Sequence, residues 1–308
     1  MKQRAHGSKS THDSRITTHA SSLGGQVVAS FGRRFLVELA DATILDCVTR
    51  GRRGEIACGD RVSVAVRGPG QGVIESVAPR TTLLYRSDAV QQKLVAANVT
   101  QIVIVVAPVP TVYEDLLNRC LAAAGHGGMS ALIALNKSDL PQAAAALETL
   151  GGYRKLGYNV VALSAKRDLS PLQPHLRNHT SVLVGQSGMG KSTIINALVP
   201  GAAVRVAEIS AALDSGRHTT THTRLYHLDA SSHLIDSPGL QEFGLHHLDR
   251  DELAHAFLEF RPHLGQCRFR DCRHLTEPGC AITAACARGE ISEKRLASYR
   301  GLVNESER

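Results

Sequence analysis

The 308-residue chain has no apolar run long enough to cross a bilayer. Its longest, "IVIVVAPVP" from Ile102, is far short of the roughly 20 residues that a spanning helix needs. The N-terminal stretch is polar and has no hydrophobic signal region, so a cytoplasmic protein is expected. An even set of cysteines is also missing: there are seven, which argues against a complete disulfide framework. Cys47, Cys58 and Cys120 lie scattered in apolar text and read as small core residues, whereas Cys267, Cys272, Cys280 and Cys286 are clustered. Strong charge is absent over most of the chain. Residues 1–80 carry 12 Lys/Arg against 7 Asp/Glu, residues 81–250 carry 14 against 12, and residues 251–308 carry 9 against 9. The excess of +7 therefore sits mainly at the N-terminal end, where it suits a polyanion such as nucleic acid.

Four segments follow from the texture of the chain. Residues 1–22, rich in Ser, Thr, His and Lys without periodicity, read as a disordered basic arm. Residues 23–80 hold five short alternating stretches, "QVVAS", "FLVEL", "TILDCV", "DRVSVAV" and "GVIESVAP". These predict a small β-barrel, and five is the strand number of an OB-fold. Between its third and fourth strands, "TRGRRGEIACGDR" gathers Arg50, Arg52, Arg53 and Arg61 into a basic loop able to grip nucleic acid. Residues 81–250 alternate buried strands with helices, which predicts a mostly parallel sheet covered on both faces. Residues 251–308 read as helical around the cysteine cluster.

Within the third segment, "SVLVGQSGMGKSTIINAL" sets a glycine-rich loop between an apolar strand and an amphipathic helix, the context of a P-loop. Gly185, Gln186, Ser187, Gly188, Met189 and Gly190 would turn successive N–H groups toward phosphate oxygens. Lys191 would reach the β- and γ-phosphates, Ser192 would offer its hydroxyl to Mg²⁺, and Thr193 continues the helix start. Forty-five residues after Lys191, "LIDSPG" supplies Asp236 for Mg²⁺, directly or through water, and Gly239 to sense the γ-phosphate. Between them "GRHTTTH" offers Thr219, Thr220 and Thr221 as alternatives for the hydroxyl that closes over Mg²⁺. The position after D-x-x-G, where many GTPases place a catalytic Gln, is Leu240. Gln241 is one residue out of register, so His218 is the better candidate to orient or deprotonate water.

The base-reading motif precedes all of this. In "ALNKSDL", Asn136, Lys137 and Asp139 have the N-K-x-D spacing that reads guanine. Asp139 would accept from the base's two adjacent N–H groups, Asn136 would tie neighbouring loops, and the Lys137 stem would lie along the ring. Twenty-five residues beyond Asp139, Ser164, Ala165 and Lys166 form the S-A-K loop that presents an N–H to the guanine oxygen. The order base, base, phosphate, switch, switch is a circular permutation, which costs little where the original termini lie close together. In the last segment, Cys267, Cys272, His274 and Cys280 match a closed tetrahedral Zn²⁺ site, with Cys286 as an alternative fourth thiol. Arg261, Arg268, Arg270 and Arg273 surround it.

With "NKSD", "SAK", "GQSGMGKST", "GRHTTT", "DSPGLQEFGL" and "CRFRDCRHLTEPGC" in that order, the chain resembles the bacterial ribosome small-subunit-dependent GTPase A family (RsgA, also called YjeQ) over about residues 25–303. The resemblance implies an N-terminal OB domain, a permuted P-loop GTPase domain and a C-terminal helical zinc domain. It further implies GTP hydrolysis stimulated by the small ribosomal subunit during late maturation, with rRNA as partner, GTP/GDP with Mg²⁺ and one structural Zn²⁺ as ligands, and a monomer off the membrane. Two other functions stay open: an RNA-binding chaperone in which GTP is only a structural ligand, and a P-loop ATPase or kinase, which "NKSD" disfavours.

Overall fold

In the computed structural model, residues 22–50, 56–87, 92–202, 223–236, 245 and 248–306 are described. The first five strands are β1 (Leu23–Phe31), β2 (Arg34–Leu39), β3 (Ile44–Thr49), β4 (Arg61–Gly68) and β5 (Gln71–Val77). They pair in the order β1-β2-β3-β5-β4, and β4 returns to β1, closing a barrel. Alternation along the strands sends Val27, Phe35, Val37, Leu45, Cys47, Val62, Val64 and Ile74 into one interior core. The OB-type barrel expected from five short strands is present.

A hairpin not anticipated from the sequence follows, β6 (Leu83–Ser87) with β7 (Gln92–Ala97). Then come β8 (Gln101–Val106), α1 (Glu114–His126), β9 (Ser130–Leu135), α2 (Ala143–Lys155) and β10 (Asn159–Ala162). The run continues with α3 (Gln173–Leu176), β11 (Thr180–Val184), α4 (Lys191–Leu198), β12 (Thr223–His227) and β13 (His233–Asp236). Strands β10, β9, β8, β11 and β13 are parallel neighbours in that order, and β12 joins β13 antiparallel. All six residues of β8 are buried because helices cover both faces. Ile102 and Ile104 pack toward Leu117 and Leu121 of α1, while Val103 and Val105 share a core with Ile194 and Ile195 of α4.

The barrel is not a separate bead. Ala29 and Ser30 of β1 pair with Arg224 and Thr223 of β12, so barrel and α/β strands form one sheet of eleven. Val28 and Leu36, on the outer surface of the barrel, belong to the same buried cluster as Leu225 and Ile235.

The C-terminal region holds α5 (Arg250–Ala256), a 3₁₀ turn (Leu258–His263), α6 (Ala281–Ala287) and α7 (Glu293–Ser306). Helix α5 begins with a capping box in which Asp249 accepts from the Glu252 N–H and Glu252 accepts from the Asp249 N–H. Phe257, Phe260 and Tyr299 stack edge-on or tilted at its centre. Residues Leu253, Ile282, Leu302 and Val303 complete that core. The region docks on α1 through a buried ion network. Arg295 donates to both oxygens of Glu259 (2.5 and 3.2 Å) and to Asn118 Oδ1 (2.6 Å), which also accepts from the Tyr153 hydroxyl (3.0 Å). Its guanidinium also lies 4.3 Å from the Phe257 ring centre.

Candidate nucleotide and metal sites

Parallel strands end on the same side of their sheet, so β8, β9, β10 and β11 deliver their following loops to one edge, where β13 also ends at Asp236. The motifs that the permutation scatters along the chain meet there. Asn136, just after β9 and buried, donates from Nδ2 to the carbonyl of Met189 (2.9 Å) and accepts at Oδ1 from the Ala165 N–H (2.9 Å). One side chain thus ties the base-reading loop to the phosphate loop and to the S-A-K loop. Met189 itself is buried in the core beneath α4.

Lys137 adopts a left-handed backbone (φ 58°). Its Nζ donates to the carbonyls of Gly188 and Val109, both at 2.7 Å. Val109 lies in the loop after β8, whose Pro110 approaches Gly188 closely. The sequence reading passed over this loop, although the "APVP" text after a buried strand marks an irregular segment at the sheet's functional edge. A hydrogen bond from Ser164 holds the Asp139 carboxyl below its usual range against a small burial effect, with Arg167 and Lys166 assisting. The Arg167 guanidinium stands 3.5 Å from Asp139. Asp139 is therefore a fully charged double acceptor at the mouth of the site.

The phosphate loop needs glycine at two close approaches. A Cβ at Gly185 would stand 2.3 Å from the Val105 carbonyl oxygen, and one at Gly190 would stand 2.2 Å from Asn136 Nδ2. Both residues have positive φ, at 143° and 95°. Ser187 and Gly188 are exposed on the loop, Gln186 and Thr193 are half-buried, and Ser192 is exposed in the first turn of α4. Lys191 Nζ donates to the carbonyls of Gly185 (2.5 Å) and Gln186 (2.8 Å). Burial lowers the Lys191 pKa while Asp236 opposes the shift, and burial raises that of Asp236 while Lys191 opposes it. Burial thus works against both charges while each stabilises the other's charged form. His218, Thr219, Thr220, Thr221 and Gly239, like Leu240 and Gln241, lie outside the described residues.

The second constellation lies in the C-terminal region. One ligand atom from each of Cys267, Cys272, His274 and Cys280 falls within 4.8 Å of every other. His274 Nδ1 stands 3.5 Å from Cys267 Sγ and 3.4 Å from Cys280 Sγ. Tetrahedral Zn²⁺ with bonds of about 2.0–2.3 Å needs ligand atoms roughly 3.5–3.8 Å apart, so the donor set fits that metal in number, type and spacing. Backbone N–H groups of Ala281 and Thr283 point at the sulfurs of Cys267 and Cys280 (3.3 and 3.5 Å), the support that thiolate ligands require. Glu277 gathers the N–H groups of Arg273, Leu275 and Thr276, which shapes the loop carrying His274. Cys286 is not in the group.

The model for the family described as RsgA GTPase matches residues 77–246, more than half of the chain. The chain belongs to the RsgA GTPase family. Its reaction is that of the family, hydrolysis of GTP, and guanine nucleotide with Mg²⁺ is what such chemistry requires. A protein of Nitrosospira multiformis named small ribosomal subunit biogenesis GTPase RsgA is 54% identical over 282 residues, 91% of this chain and 90% of that protein. The protein of that name from Neisseria gonorrhoeae is 51% identical, covering 91% of each chain. Among solved structures, YjeQ of Thermotoga maritima aligns with a TM-score of 0.71 and 28% identity, over 92% of this chain and 98% of that one. YloQ, described as a circularly permuted GTPase, aligns with a TM-score of 0.69 and 25% identity, over 95% and 98%. The family-level expectations of barrel, permuted GTPase domain and Cys₃His region therefore hold. No helix among the described residues is long and apolar enough to cross a membrane.

Proposed function

We propose that this chain is a cytoplasmic, monomeric GTPase that binds the small ribosomal subunit through its rRNA and hydrolyses GTP during that subunit's late maturation. The observation that carries the reading is Asn136, which joins three motifs drawn from three separate stretches of chain into one guanine and phosphate site. The names of the relatives from Nitrosospira and Neisseria support the subunit as partner.

In this reading Asp139 accepts from guanine N1–H and the exocyclic amine, and the Ala165 N–H side of the S-A-K loop with Lys166 completes the base pocket. The loop from Gly185 to Gly190 wraps the phosphates, Lys191 neutralises them, and Ser192, Asp236 and one of Thr219, Thr220 and Thr221 hold Mg²⁺. Mg²⁺ held by these residues would supply positive charge against the negative charge that develops on the phosphates during transfer. Gly239 reads the γ-phosphate. His218 orients or deprotonates the attacking water, since Leu240 has no group able to do so. Zn²⁺ held by Cys267, Cys272, His274 and Cys280 is structural, because four protein ligands leave no open position.

Phosphate release with and without purified small subunits tests the activity. His218→Ala is expected to keep GTP affinity and lose most of the stimulated turnover, roughly 10²-fold or more, while Gln241→Ala loses much less. Turnover indifferent to small subunits would overturn the proposal, and greater damage from Gln241→Ala would overturn the catalytic assignment.

A further inference from the structure

The cavity that the GTP site does not use lies at one end of the barrel, against the α/β domain. It is open to solvent, offers about 650 Å³ and is lined by Gly24, Glu38, Leu39, Arg61, Val62 and, from β12, His227. That volume is within the range of sites that take a small ligand or a single nucleotide.

Its position follows from how the barrel is mounted. OB-type barrels commonly present the outer face of their second and third strands to oligonucleotides. Here Leu36, at the middle of that face on β2, is buried in the core shared with Leu225. Part of the usual face is thus consumed by domain packing. The end of the same face, past Glu38, stays open.

The wall is chemically divided. Arg61 is exposed and makes no ion pair among the described residues. Its charge reaches the histidine pair on the other side, where it helps keep the His233 pKa low, after burial and His227 and against Asp229 and Glu38. The Glu38 carboxylate is held in place by His227 Nε2 (2.5 Å), and His227 Nδ1 in turn meets His233 Nδ1 (2.9 Å). Leu39, Ala40, Ala42 and Ala78 provide apolar lining.

We propose that this cavity holds one unstacked guanosine of a single-stranded RNA segment. Guanine offers a carboxylate two adjacent N–H donors on one edge, which Glu38 can accept. Its O6 and N7, or the flanking phosphate, suit the Arg61 guanidinium. The lining has no Phe, Tyr or Trp, so the ring faces meet Leu39 and the alanines, with the Arg61 guanidinium or the His227 ring able to stack on the base. The excess of basic residues in positions 1–80 favours RNA over a basic peptide as the occupant. The site rests on the reading that the partner is an RNA-containing particle, but it can be tested without that particle.

Gly24 provides a direct means. A Cβ there would meet nothing within 4 Å, whereas one on the neighbouring Gly25 would strike Val37 and the Glu38 carbonyl. Gly24→Leu therefore occupies the open side of β1 without entering the barrel core, and Arg61→Ala removes the cation from another strand. Fluorescence anisotropy of labelled UUUGUU and UUUAUU RNA hexamers, with the full-length wild type and both variants checked for folding by circular dichroism, provides the test. The wild type is expected to favour the guanosine hexamer roughly tenfold, and each variant is expected to lose most of that preference. Equal wild-type affinity for the two hexamers overturns the proposal. So does a preference that Gly24→Leu and Arg61→Ala leave intact, or a cavity that takes a Lys-rich peptide while the hexamer binds elsewhere. Cosedimentation with small subunits, run alongside, decides the partner separately: a wild type that selects guanosine but ignores subunits keeps the cavity and removes the subunit.

Discussion

The two flanking regions are fastened to the GTPase domain by different chemistry. The barrel is held by backbone pairs between β1 and β12, by apolar side chains such as Leu36 and Leu225, and at its margin by a partly exposed Glu38–His227 contact. The C-terminal region is held by Arg295, which is buried with Glu259 of its own region and donates to Asn118 of α1, and by the Arg119–Glu305 and Lys294–Glu114 pairs. A backbone-and-apolar joint is forgiving of most single side-chain changes because its hydrogen bonds belong to the main chain. A buried ion joint is unforgiving, because removing either partner strands a desolvated charge on the other.

Four substitutions rank these joints. The largest effect is expected from Cys272→Ala, since metal-binding energy in a small module is largely folding energy. Stoichiometric zinc should be lost by metal analysis and residues 251–308 should become protease-sensitive, while GTP affinity is retained. Intact protease resistance in that variant would remove the metal from the account of the C-terminal region. Next, Arg295→Ala should cost about 3–5 kcal/mol in urea unfolding, and the double change Arg295→Met with Glu259→Leu should recover most of it. A double variant as unstable as the single would mean that the network matters for more than its own charges. Third, Leu36→Ala should cost about 2–4 kcal/mol through the cavity left between barrel and sheet. Least of all, Glu38→Gln should cost under about 1 kcal/mol, because its His227 partner is 41% exposed. If that change outweighs Leu36→Ala, the barrel is held by charge after all and the contrast collapses.

What could be read beforehand was what is local. The phosphate loop, N-K-S-D, S-A-K and the Cys/His spacing each lie within a short window, and strand-end placement follows from the apolar runs before them. The barrel strands announce themselves by alternation. The β6–β7 hairpin did not, because Arg86 and Ser87 of β6 and Gln92 and Lys93 of β7 break the apolar rhythm. The Val109 carbonyl could not be read either, since a backbone acceptor leaves no residue signature. Nothing in the sequence around Glu259 and Arg295 marks them as buried, and only a fold that sets positions 36 residues apart against each other shows them as a pair. The pairing of Ala29 with Arg224 is still less legible, joining residues nearly 200 apart by main-chain atoms that every sequence possesses.

That pairing also covers a strand edge of the GTPase domain. Without the barrel, a chain starting near residue 81 would expose the free edge of β12, whose N–H and C=O groups would be open to a second molecule's strand. β1 closes that edge and then curls into a cylinder that has no edge of its own there. The barrel is thus a stopper against self-association. Excising it should produce a GTPase domain that sticks to its own copies before it loses the ability to bind nucleotide.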